Sequence, residues 1–183
     1  RTILRDHYDP PLSPYNYTSP LSGMRSYITN SKDDVLLTVE NLPAGSSVRL
    51  AVMDRFDGNV WNLSDSTMSS DSSNYRRVGT SITNNAEGKK FTATFTVDKG
   101  LSNYWLPMAG AASSVTFDNS ENSDSFYYNS DTMSAIYPSR TSEGLTYTET
   151  GIMPTVPTDK QIAKTDAAAI SQPKAEDVPD CVD

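Results

Sequence analysis

The stretch that most constrains the fold runs from Val48 to Leu63 and reads V-R-L-A-V-M-D-R-F-D-G-N-V-W-N-L. Val48, Leu50 and Val52 alternate onto one face of an extended chain. Ala51 and Met53 make the other face largely apolar too, the pattern of a strand covered on both sides. The stretch therefore reads as a central strand. Asp57-Gly58, flanked by Phe56 and by Val60-Trp61, fits a tight hairpin, because its central residues need positive φ, which glycine adopts freely and aspartate tolerates. The hairpin is expected to return Trp61 to the core, with Asp54 bracing the turn. Asp54, Asp57, Gly58 and Trp61 are thus expected to serve structure and not chemistry.

The cleanest alternation is Phe91 to Val97, where Phe91, Ala93, Phe95 and Val97 interleave with Thr92, Thr94 and Thr96: one face in the core, the other in water. Shorter runs of the same kind are Arg25 to Thr29, Val35 to Glu40, Tyr75 to Val78, Tyr104 to Met108, Ser114 to Phe117, Phe126 to Tyr128, Ser134 to Tyr137 and Leu145 to Thr148. Polar turns separate them, Leu42 to Ser46 most clearly, and Ser64 to Asn74 reads as a Ser/Asp-rich loop. Many short strands at near-regular spacing predict an all-β fold, an antiparallel β-sandwich of Greek-key or jelly-roll type, in place of any α/β design.

Composition changes at both ends. Residues 1–23 hold Pro10, Pro11, Pro14 and Pro20 among Tyr8, Tyr15 and Tyr17, so an extended arm laid on the domain is expected there. The sandwich is expected over residues 24–152. Residues 153–183 shift to Pro, Ala, Lys and Asp and read as a linker, with a short helix from Thr158 through Ala169. The chain starts at Arg1 and reads as a segment of a longer protein.

The chemistry-bearing residues are few. A net charge of -8 and a pI near 4.6 supply no basic stripe for phosphates and exclude nucleic acid as a partner. His7 and Cys181 are the only residues of their kinds and stand near opposite ends, so no nucleophile–base pair can be assembled from them. Asp118 to Asp124 is rich in oxygen ligands that calcium accepts, but it lacks the glycine of the helical calcium loop, so a turn is the preferred reading. Arg76-Arg77 reads as ordinary surface, since alternate strand faces separate the two guanidinium groups. Asn16-Tyr17-Thr18 and Asn62-Leu63-Ser64 match the short glycosylation pattern. Trp61, Trp105 and Tyr104 pose a choice: a stacking platform for sugars if exposed, core filling if buried.

The segment from Arg49 to Trp61, R-L-A-V-M-D-R-F-D-G-N-V-W, resembles the R-x-x-x-x-D-x-[YF]-D-G-x-x-W element in the extracytoplasmic region of bacterial transglutaminase-like membrane proteins. R-D-H-Y-D-P-P-L-S-P-Y at Arg5, S-P-L-S-G-M-R-S-Y at Ser19, L-P-A-G-S-S-V-R-L at Leu42 and Y-R-R-V-G at Tyr75 are similar to the same region. The resemblance implies a β-rich domain lying between upstream transmembrane helices and a downstream papain-like transglutaminase core. The family's catalytic Cys, His and Asp belong to that core, so it implies no catalytic residue, no metal and no cofactor here. The implied role is that of a noncatalytic accessory domain at the cell surface, positioning the core or contacting a cell-wall or protein partner. The parent would be an acyltransferase or a protease-like enzyme. The alternative is a carbohydrate-binding module for envelope glycans.

Overall fold

The computed structural model describes residues 20–56, 61–63, 74–79 and 81–166. Two four-stranded antiparallel sheets carry the fold. The first holds β1 (Leu37–Glu40), β6 (Gly88–Val97), β12 (Thr146–Pro154) and β9 (Ala111–Phe117), in that order. The second holds β5 (Arg76–Arg77), β10 (Tyr127–Asn129), β11 (Ser134–Ile136) and β7 (Trp105–Leu106). Two small ribbons complete it: β2 (Val48–Arg49) on β8 (Met108–Ala109), and β3 (Arg55–Phe56) on β4 (Trp61–Asn62). The all-β sandwich expected from the alternation is the fold observed.

The long pair β6–β12 shows how the pattern sets the layers. Phe91, Ala93, Phe95 and Val97 are all buried. Opposite them Thr92, Thr94 and Thr96 face Thr150, Thr148 and Thr146 on the outer surface, hydroxyl to hydroxyl at 3.0, 3.3 and 3.4 Å. Between the sheets Phe95 stacks on Tyr147 with ring centroids 5.1 Å apart, Phe117 packs on Phe126, Tyr137 and Tyr147, and Tyr128, Ala135 and Leu106 close the core from the second sheet. β12 slips register on β9 between Thr150 and Gly151, leaving Ser113 as the extra residue of a bulge. Gly151 is required there: a Cβ would stand 2.3 Å from the Ala111 carbonyl oxygen.

The second sheet is covered on its other face too. Trp105, Ile136, Tyr75 and Leu63 form a second core, with Tyr75 meeting Trp105 edge-on at 5.8 Å and Leu50, Ala51 and Met53 packed over them. This placement corrects the central-strand expectation. Between Val48 and Phe56 only Val48–Arg49 and Arg55–Phe56 join ladders, and the chain between them lies as a lid on the outer face of the second sheet. Apolar residues on both faces fit a chain crossing over a sheet as well as one inside it, so the local pattern does not separate the two.

Three further expectations are revised. Arg25 to Thr29 belongs to helix α1 (Pro20–Asn30) and not to a strand. Pro20 occupies the first helical position, where its missing N–H costs nothing. Leu21, Met24 and Ile28 follow at helical spacing, and Tyr27 reaches the main core, its hydroxyl accepting from Asn103 at 3.2 Å. The strand expected to stop at Thr148 continues to Pro154. The terminal helix spans only Asp159–Ile162, capped by Thr158 and Gln161. The arm up to Ser19, most of the Ser64 to Asn74 loop and the tail after Asp166 lie outside the described residues.

Candidate functional site

The bulge on β9 organises a region where polar groups gather around a cleft. Ser113, displaced from β12, offers its carbonyl to the Ile82 amide at 2.7 Å and its hydroxyl to Asn84 Nδ2 at 2.8 Å. The same Nδ2 donates to the Ala112 carbonyl at 2.8 Å, and Asn84 Oδ1 accepts from the Ala86 amide. Asn84 thereby does for the edge of β9 what a neighbouring strand would do. On the other side, the turn after β10 is held by Asn129 Oδ1, which accepts from the amides of Asp131 and Thr132. Met133, at φ 54°, ends that turn. A cleft of about 350 Å³ separates the two segments, walled by Thr83, Asn84 and Asn85 on one side and Ser130 and Asp131 on the other.

Behind it lies a buried polar cluster. Glu149 points inward from β12 with no exposed surface. One carboxyl oxygen, Oε2, accepts from the Ala109 amide at 2.8 Å, while Oε1 has no hydrogen-bond partner. Burial pushes its pKa from 4.5 up to about 8, against the opposing pull of the Ala109 N–H and the Arg49 guanidinium, so the acid is largely protonated at neutral pH. Arg49 donates to the Met133 carbonyl at 3.0 Å, tying β2 to the wall of the cleft. Tyr147 donates to the Pro107 carbonyl at 2.6 Å. Tyr128 accepts from the Ala112 amide at 3.1 Å, and burial pushes its phenol up to about 12. It remains a proton donor across the physiological range.

Apart from Arg49, which opens the family element, none of these residues stood out in the sequence. Glu149 had a legible signal, since it continues the inward parity of Leu145 and Tyr147, but the strand was expected to stop at Thr148, just before it. The asparagines had none, because their role depends on a bulge that only pairing reveals.

The residues singled out earlier do not converge. Trp61 is 51% exposed, its ring centroid 5.4 Å from that of Phe56 in the same ribbon, so the expectation that it plugs the core is wrong. Trp105 and Tyr75 already occupy the second core, and the ribbon contributes Leu63 instead. The Asp54 amide donates to the Asn62 carbonyl at 3.1 Å, adding a rung to the β3–β4 ribbon. Asp57 and Gly58, expected at its reversal, lie outside the described residues, as do His7 and Cys181. Trp105 is buried and Arg140 lies over the ring of Tyr104 at 5.1 Å, so the three aromatics form no common platform. Asn119 caps a 3-10 turn over Ser120–Ser125 in the loop weighed for calcium. Among the described residues no helix is long and apolar enough to cross a membrane.

In comparison with known families, residues 18–158 match the model of the TgpA N-terminal domain, TgpA being a transglutaminase-like protein. Neither the curated proteins nor the solved structures provide a match. The matched span takes in both sheets, both ribbons and the cleft, so by the greater part of its length the chain belongs to the TgpA N-terminal domain family.

Proposed function

We propose that this chain is a noncatalytic accessory domain of a transglutaminase-like protein, standing outside the cytoplasmic membrane and anchored by helices encoded outside this segment. In this role it positions a downstream acyl-transfer or protease-like core, or brings that core to a partner at the cell envelope. The observation that carries the reading is the match of residues 18–158 to the N-terminal domain of a transglutaminase-like protein. Two features support it. The sheets enclose a core filled by aromatic side chains, as suits a rigid spacer. The histidine and the cysteine, each single in the sequence, stand at positions 7 and 181, outside the span that matches the N-terminal domain.

The test compares the parent protein with a version lacking residues 18–158, and assays this chain alone for joining an amine to a glutamine-containing peptide. The expected result is no turnover by the chain alone, with the truncated parent retaining its chemistry on a small soluble substrate and losing it on an envelope-bound one. Amine incorporation by the isolated chain overturns the proposal, as does equal action of the two parents on both substrates.

A further inference from the structure

The cleft beside the β9 bulge carries unspent hydrogen-bonding capacity, and its arrangement goes beyond an accessory role. Asn84 is fully used in closing the sheet edge. The side chains of Thr83, Asn85, Ser130 and Asp131 are exposed along the rim and make no hydrogen bond among the described residues. At the base, Tyr128 is 3% exposed, and its oxygen accepts from Ala112 while its own proton meets no acceptor among the described residues. Buried donors are normally satisfied, so an unspent phenolic O–H on a residue that lines the cleft marks a place where a ligand acceptor fits. The rest of the base is apolar: Ala86, Ala111 and Met133.

These groups specify a ligand. A donor at the base calls for a carbonyl, the Asp131 carboxylate at the rim calls for an N–H or O–H, and the apolar patch calls for a methyl. An acetamido group presents all three. The two rim hydroxyls and the Asn85 amide then match ring hydroxyls. Anions are disfavoured by Asp131 and by the net charge of -8. A peptide adding to the sheet is disfavoured because the edge of β9 is already taken: the Ala111 and Ala112 carbonyls by Asn84, the Ser113 carbonyl by Ile82 and the Ala112 amide by Tyr128. The volume, about 350 Å³, lies at the lower end of small-ligand sites. We propose that this cleft binds an N-acetylated amino sugar, free or as a unit of a glycan. The site is separate from the Trp61/Trp105 platform that the sequence suggested.

The test is an amide-resolved NMR titration of the 183-residue chain with the β-1,4 dimer of N-acetylglucosamine, alongside cellobiose and N-acetyl-dialanine methylamide. Saturable shifts confined to residues 83–86 and 130–133 are expected with the acetylated disaccharide, and at least about tenfold weaker binding with the other two. Asp131→Ala and Asn85→Ala, which break no internal hydrogen bond, should each weaken binding by about tenfold with the melting temperature unchanged. Absence of shifts, equal response to cellobiose, preference for the dipeptide, or full binding by Asp131→Ala each overturns the assignment.

Discussion

Replacing Glu149 by Gln isolates a single buried proton. In the folded chain this carboxyl has a pKa of about 8 against an ordinary 4.5, and burial is the largest cause. Below about pH 4.5 it is protonated in both folded and unfolded chains and contributes no pH dependence. Between 4.5 and 8 the folded state keeps a proton that the unfolded chain has released, so stability falls as pH rises, and above 8 the loss is complete. The displacement of roughly 3.5 units, at about 1.36 kcal/mol per unit, amounts to about 5 kcal/mol between pH 4.5 and pH 8. Glutamine does not titrate and can still accept from the Ala109 N–H. Its amide places two N–H donors where the protonated acid has at most one, with no partner at that position, so a constant cost of about 1–3 kcal/mol is expected at acid pH. The variant should therefore be the less stable protein near pH 5 and the more stable one near pH 8. Urea unfolding followed through tryptophan fluorescence at intervals from pH 5 to 9 gives both curves. Parallel curves would show that Glu149 is not held protonated and that the cluster has another arrangement.

The other predictions test packing. Gly151→Ala must drive β9 off β12, because its Cβ would lie 2.3 Å from the Ala111 oxygen, and a loss of at least about 3 kcal/mol is expected in denaturant. Trp105→Ala should cost about 3–5 kcal/mol and Trp61→Ala under about 1, since one indole is buried and the other half in solvent; equal losses in the same urea series would refute the division into core and ribbon. Arg49→Met removes the donor to Met133 and a charge that lowers the Glu149 pKa, so the pH at which stability stops falling should move upward, read from the same pH series.

Much of the architecture follows from alternation alone. Phe91 to Val97 specifies both its buried face and its hydroxyl face, because side chains on a strand point to opposite sides in turn. Turn residues then divide the remaining chain into short antiparallel strands. The family, too, was legible in a few spaced residues around Arg49 to Trp61. Local pattern does not reveal which layer a segment joins. Leu50 to Met53 looked central and is peripheral, and Trp61 looked buried and is not, because burial depends on which other aromatic residue reaches the space first. The cleft, the bulge at Ser113 and the lone carboxyl of Glu149 arise from pairings between residues about 30 to 50 positions apart. Such distant pairings are settled only when the sheets close on one another, and with them the environment that makes an ordinary glutamate hold its proton and an ordinary tyrosine present an unspent donor.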